Sequence, residues 1–300
     1  MKARILILHA PGTNRDREAA LACRLAGGEP EIVPLSQLLA GERRLLDYGF
    51  LVLPGGFSYG DDLGAGTLWA LALKERLGEE LRRFVADGRP VLGICNGFQA
   101  LIKAGLLGVE SLSPSPSLRS EGLSPLPAQA SEAAKAATTK AAAGSQAAEA
   151  ATAKGAAGRL VTLTRNRSGH FECRWVYLRP EPGSGCLFTR GLEELLYVPV
   201  AHGEGNLTPA DQGLIEHLRA AGQVALTYVD ATGQPAGYPA NPNGSAGNIA
   251  GLCNAAGNVL GLMPHPEDHV FPYQHPRWTR GEHGGLGLAL FINGVRAAGA

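Results

Sequence analysis

No run of apolar residues in this chain is long enough to cross a membrane, and the first one is too short for a signal-peptide core. Lys2 and Arg4 lead into Ile5 to Leu8, but the run ends at His9 and Pro11. An excess of one charge is also missing. Lysine and arginine number 27 against 27 aspartates and glutamates, so nothing marks an electrostatic footprint for nucleic acid or an anionic membrane. Partners must be recognised by shape and local chemistry. Cysteine is sparse: the five, at 23, 95, 173, 186 and 253, form no C-x-x-C pair and follow no regular spacing. That argues against a zinc site or a disulfide framework and fits a reducing cytoplasm.

What is present is an ordinary globular composition, 45% hydrophobic over 300 residues, enough for one large core. Short apolar runs read as strands at Arg4 to Leu8, Glu31 to Pro34, Phe50 to Leu53 and Val91 to Ile94. Further strands are expected at Leu160 to Leu163, Trp175 to Leu178, Tyr197 to Val200, Val224 to Tyr228, Ile249 to Leu252 and Val259 to Met263. Between the early strands lie helical patterns. One runs from Arg17 to Ala26, and the spacing of Leu73, Leu77, Leu81, Phe84 and Val85 predicts a single helix there. Leu286 to Val295 reads as a closing helix. Strands alternating with helices imply right-handed crossovers, hence an α/β fold with an open, mostly parallel sheet. From about 111 to 158 the composition turns to Ser and Pro and then to Ala, with little to bury. We read 1–300 as one domain carrying a solvated, low-complexity insertion there.

The stretch with the most chemical content is Val91 to Gln99, in which a buried-strand pattern breaks at Cys95 with glycine two residues away on each side. A strand that turns abruptly into a helix crowds the neighbours of its apex residue, and glycine lacks the Cβ that would clash. This is the logic of the nucleophile elbow with sulfur in place of oxygen. The amino end of the following helix favours thiolate over thiol.

A cysteine nucleophile needs a base, and the base needs a carboxylate to hold its tautomer. Two His-x-Glu segments follow strands: His202, Gly203, Glu204 and His265, Pro266, Glu267. Spacing alone does not choose between them. The pair His265 and His269 has the i, i+4 spacing of a zinc helix, but Pro266 and the position of the acid argue against a metal there. The loop Pro54 to Asp61 lacks the lysine of a phosphate-binding loop. Its Gly55-Gly56 step instead suits a close backbone approach and exposed N–H groups, as an oxyanion site requires.

Four motifs in this order, L-P-G-G-F-S-Y-G-D at 53–61, G-I-C-N-G-F-Q at 93–99, V-A-H-G-E-G at 200–205 and M-P-H-P-E at 263–267, resemble those of the class I (triad) glutamine amidotransferases. Within them the chain is most similar to the glutaminase subunits of phosphoribosylformylglycinamidine synthase, as are N-R-S-G-H-F-E-C-R-W-V at 166–176 and N-G-S-A-G-N-I-A-G at 243–251. The resemblance covers nearly everything outside the insertion. It implies a flavodoxin-like sheet flanked by helices. It makes Cys95 the nucleophile, His265 the general base and Glu267 the residue that orients it. Gly56 and Asn96 would give backbone N–H groups to the oxyanion, and Gln99 would help hold glutamine. His202 and Glu204 would be structural or face a partner.

The implied reaction releases ammonia from glutamine through a γ-glutamyl thioester and passes it to a separate synthetase subunit, with a small accessory subunit as a further partner. ATP and Mg would belong to the synthetase, with no cofactor or metal in this chain. Three features depart from the family pattern: the insertion, His170 where arginine is expected, and Asp268 where arginine is frequent. The competing readings are another cysteine-elbow hydrolase, disfavoured because Asn96 and not histidine follows the nucleophile, and a non-catalytic binding subunit.

Overall fold

The computed structural model describes residues 2–108, 160–211 and 213–299. The insertion expected at 111–158 lies outside the described residues. In chain order the strands are β1 (Arg4–His9), β2 (Glu29–Pro34), β3 (Phe50–Leu53), β4 (Val91–Ile94), β5 (Val161–Arg165), β6 (Glu172–Pro180), β7 (Leu196–His202), β8 (Glu204–Pro209), β9 (Val224–Val229), β10 (Ile249–Cys253) and β11 (Val259–Leu262). The helices are α1 (Asp16–Leu25), α2 (Leu35–Leu39), α3 (Thr67–Arg76), α4 (Gly78–Ala86), α5 (Asn96–Ala104), α6 (Leu214–Ala220) and α7 (Leu288–Ala298).

Nine strands form one sheet in the order β2-β1-β3-β4-β11-β10-β9-β6-β7, and β5 pairs with β8 in a separate ribbon. From β2 to β11 every pairing is parallel; beyond β11 each is antiparallel. Since only β10 and β6 run against the rest, seven of the nine strands point one way. β3, β4 and β11 are buried at every position. This is the pattern of strands covered on both faces, and it is why they read as unbroken apolar runs. The nucleophile strand is central, and ligands of open α/β sheets sit beyond such carboxyl ends.

The expected single helix over residues 73 to 85 is two. α3 and α4 meet at Leu77, whose φ of −118° and ψ of 4° leave the helical region. Gly78, a weak helix former, follows at once. Leu73, Leu77, Leu81 and Phe84 nonetheless all remain buried, so the apolar face survives the bend.

The sheet also curls. β11, β10, β9 and β6 separate β7 from β4, which in a flat sheet would place the two about 24 Å apart. Instead Pro199 O in β7 accepts a hydrogen bond from His265 N at 2.8 Å, just past β11. Ala201 O lies 3.8 Å from Cys95 Sγ. The antiparallel half thus folds its edge strand over the carboxyl ends of β4 and β11, closing a roof above the elbow.

Candidate active site

Cys95 sits between β4 and α5 with φ 50° and ψ −104°, a conformation that strains a residue with a Cβ. What holds it there is close packing on both sides. A Cβ on Gly97 would lie 2.0 Å from Leu53 O, and one on Gly93 would lie 2.4 Å from Leu101 Cδ1. The glycines let β3, β4 and α5 approach until the turn has no other course. Cys95 N is fixed to Leu262 O of β11 at 2.8 Å. The thiol is therefore buried, 5% exposed, at the amino end of a helix whose free N–H groups favour an anion.

The register Leu262↔Ile94 places the end of β11 beside the end of β4. His265 thus arrives next to Cys95, and the two side chains are within hydrogen-bonding reach. After His265 the chain tightens into a short turn, Pro266–Asp268, with proline at its first position. The turn brings Glu267 back under the ring, with Nδ1 2.8 Å from Glu267 Oε1. A carboxylate accepts, so Nδ1 carries the proton and Nε2 is left for the sulfur. Both side chains are nearly inaccessible, at 4% for His265 and 1% for Glu267. Burial opposes a charge on His265, but Glu267 and the Cys95 thiolate outweigh it and hold the imidazole pKa well above its ordinary value.

Gly55-Gly56 closes the third side. A Cβ on Gly55 would lie 2.6 Å from His265 Cε1 and 3.5 Å from Cys95 Cβ, so only glycine fits against the pair. Gly55 O accepts from Asn14 N at 3.2 Å and Arg15 N at 3.3 Å. Peptide planarity turns the Gly56 N–H the other way. Asn96 is the first residue of α5 and its N–H has no acceptor within that helix. The Asn96 side chain accepts from Ser58 N at 3.0 Å and donates to Asp61 Oδ1 and to Gln99 Oε1, both at 2.9 Å. Gln99 Nε2 in turn donates to Glu204 O at 2.5 Å. One N–H and one lone pair of Gln99 stay available to a ligand.

A family model described as a CobB/CobQ-like glutamine amidotransferase domain matches residues 2–123 and 145–296. The chain is 44% identical to a protein of Treponema denticola named phosphoribosylformylglycinamidine synthase subunit PurQ, over 98% of each chain. The chain belongs to the glutamine amidotransferases. A PurQ subunit of Dehalococcoides mccartyi is 40% identical to this amidotransferase over 99% of this chain and 98% of its own. The structure titled PurLQS from Thermotoga maritima superposes on the amidotransferase with a TM-score of 0.64, at 30% identity and 99% coverage of both chains.

Several residues of the amidotransferase matter more than their sequence positions suggested. Asp61 and Ser58 orient Asn96. Asn166 grips the turn at His202: its Nδ2 donates to His202 O at 2.7 Å, and its Oδ1 accepts from Gly205 N at 3.1 Å and faces His202 Nδ1 at 3.1 Å. Tyr228 is wholly buried within electrostatic reach of Cys95, with its hydroxyl bound by Asn243 Nδ2 at 3.1 Å. Each contact spans a sequence separation that periodicity does not report.

Asp268, the departure at the fourth position of H-P-E-D, has its own partner in Arg15 Nε at 3.1 Å. Arg15 also binds Gly55 O through its backbone, so one residue spans the glycine loop and the histidine turn. His170 is exposed, and its carbonyl accepts from Asn166 Nδ2. His265, Glu267 and Asp268 are near enough together to share a metal ion. Here they face one another and Arg15 instead. His269 is not in that group: its Nδ1 lies 2.6 Å from Tyr197 O and its ring meets Trp175 edge-on. Among the described residues, no helix is long and apolar enough to cross a membrane.

Proposed function

We propose that this chain is the glutaminase subunit of phosphoribosylformylglycinamidine synthase, hydrolysing glutamine to glutamate and ammonia and passing the ammonia to a synthetase subunit in purine biosynthesis. The observation that carries the chemistry is the buried series Cys95, His265, Glu267 at a strained elbow. The pathway reading is supported by two relatives of that name at 44% and 40% identity over almost their whole length. The likeness to PurLQS supports a synthetase and a small third subunit as partners.

In this reading the Cys95 thiolate attacks the side-chain amide carbon of glutamine. The N–H groups of Gly56 and Asn96 meet the oxyanion of the tetrahedral intermediate, where one such donor is worth roughly 100-fold to 1,000-fold in rate. His265 Nε2–H protonates the leaving nitrogen, ammonia departs, and a γ-glutamyl thioester remains. The now neutral imidazole takes a proton from water, which cleaves the thioester and restores the thiolate. Glu267 keeps Nδ1 protonated throughout. Gln99, with its one spare N–H and lone pair, holds the amino-acid end of glutamine. ATP and Mg2+ are assigned to the synthetase. A cytoplasmic setting is supported by five cysteines that are all free.

In the reconstituted complex, Cys95→Ala should abolish glutamine-dependent amidine formation, by about 10⁴-fold or more. Synthesis from added ammonia should be retained. Joint loss of both activities would overturn the division of labour, and so would mass-spectrometric mapping of a reactive glutamine analogue to any residue but Cys95.

A further inference from the structure

Outside the triad, two buried histidines have an Nε2 without a hydrogen-bond partner among the described residues, His202 and His269, and His202 is the one that follows the strand end at the elbow. His202, at the end of β7, is 3% exposed. Its Nδ1 faces the Asn166 side-chain oxygen, and that amide cannot be flipped, because its nitrogen donates to the carbonyls of His170 and His202 while its oxygen accepts from Gly205 N. An amide oxygen only accepts, so His202 Nδ1 carries the proton and Nε2 carries a lone pair. That Nε2 is buried and has no hydrogen-bond partner among the described residues. Buried acceptors are rarely left so, and an orphan beside a reaction centre points to a donor that arrives with the substrate.

The neighbourhood says which donor. The carbonyl of the preceding residue, Ala201, lies 3.8 Å from Cys95 Sγ. The His202 ring feels the charge of His265. A Cβ on Gly205 would touch both the His202 ring, at 2.6 Å, and Asn243 Nδ2, at 3.0 Å, and Asn243 holds the Tyr228 hydroxyl within electrostatic reach of Cys95. The nitrogen that leaves glutamine must come to His265, which protonates it. A carboxamide nitrogen has two N–H groups and ammonia three, while neither protonated His265 nor the oxyanion donors accept any N–H of the bound carboxamide.

We propose that His202 Nε2 accepts an N–H from the nitrogen that leaves glutamine, first as the bound carboxamide and then as ammonia. This rests on the glutaminase reading above and makes His202 a specificity-determining residue for it. An ester or acid analogue would set a lone pair against a lone pair at this point. Burial, with the His265 charge adding to it, pushes the His202 pKa down to about 3. Nε2 is thus an acceptor with no proton to give, the one N–H of the ring being held at Asn166, and ammonia held there stays neutral and nucleophilic for the partner subunit.

The test compares glutamine with the γ-methyl ester of glutamate, whose leaving group has no N–H, as substrates of the complete complex. His202→Leu should lower kcat/KM for glutamine about tenfold or more and leave the ester within twofold. His202→Gln, which can present a carboxamide oxygen at the same place, should recover most of the glutamine activity. Ester turnover also reports that the leucine variant is folded. Should it not fold, calorimetry on the Cys95→Ser complex replaces it, with glutamine expected to bind about tenfold tighter than the ester. Equal losses on both substrates, no loss on either, or equal binding would overturn the role of His202. Failure of the wild-type complex to turn over either substrate would instead overturn the glutaminase reading itself.

Discussion

The two His-x-Glu segments have the same spacing and opposite electrostatics. At His265 the chain turns tightly through Pro266, and the Glu267 carboxylate comes back 2.8 Å from Nδ1. At His202 the chain is leaving one strand for the next, and Glu204 offers only its backbone carbonyl, to Gln99. Nδ1 of His202 faces the neutral amide of Asn166, 36 residues away. Two equally buried imidazoles thus diverge, one with its pKa raised by Glu267 and Cys95 against the cost of burial, the other pushed down to about 3 by burial. The backbone between histidine and glutamate, and not the residue types, decides which histidine becomes a base.

The largest effect expected from breaking this contrast is at the glutamates. Glu267→Gln should lower kcat for glutamine hydrolysis by about 10³-fold to 10⁴-fold, as loss of the orienting carboxylate does in other triads. Glu204→Gln should stay within about twofold, since its backbone makes the contact. Steady-state glutaminase assays on the two variants in the complex decide it, and comparable losses would mean that Glu204 acts through its carboxylate.

Next comes the amide that replaces the carboxylate. Asn166→Ala leaves the buried His202 Nδ1–H, His202 O and Gly205 N–H without their partner. The expected cost is about 2–4 kcal/mol, read from urea unfolding. A change below about 0.5 kcal/mol would show that the turn finds other partners.

Much of the contrast was hidden from the sequence for physical reasons. The elbow was legible because Gly93, Cys95 and Gly97 are local and their crowding is steric. β3, β4 and β11 were legible because strands buried on both faces are apolar throughout. β8 was not, since Glu204 to Pro209 has one large apolar residue, Leu207, and pairs as a two-stranded ribbon. α6 escaped as well, being a single short segment between strands. The choice between the two histidines came from family resemblance, because it depends on the curl that brings β7 over β4 and on Asn166, neither of which leaves a periodic trace.

The two histidines should also move stability in opposite directions with pH. His202 has a folded pKa below its unfolded value, so the unfolded chain binds more protons in acid. Stability should fall as pH drops from about 6.5 towards 3. The share due to this one group is about 2 kcal/mol between pH 6.5 and 4.5. His265 has a raised folded pKa, so its contribution is complete below the ordinary histidine value and is lost as pH rises through the folded one. Urea unfolding of the wild type and of His202→Gln across pH 4.5–6.5 isolates the first effect. An unchanged acid slope in the variant would assign that loss of stability to other groups.

The smallest effect is expected at Asp268, which gives the His265 side a second carboxylate that His202 has no counterpart for. Asp268 is itself partly buried, and burial together with the Glu267 charge raises its pKa, while His265 and Arg15 pull it down. The attraction is mutual, so Asp268 adds to the field that raises the His265 pKa. Its bridge to Arg15 is about a third exposed on the arginine side and contributes less than about 1 kcal/mol to folding. Asp268→Asn should therefore leave the melting temperature nearly unchanged while moving the His265-dependent limb of the kcat/KM profile to lower pH by less than one unit. A stable variant with an unmoved profile would make Glu267 and Cys95 the whole source of the raised pKa, and the contrast between the two histidines would then rest on a single carboxylate and the thiolate it serves.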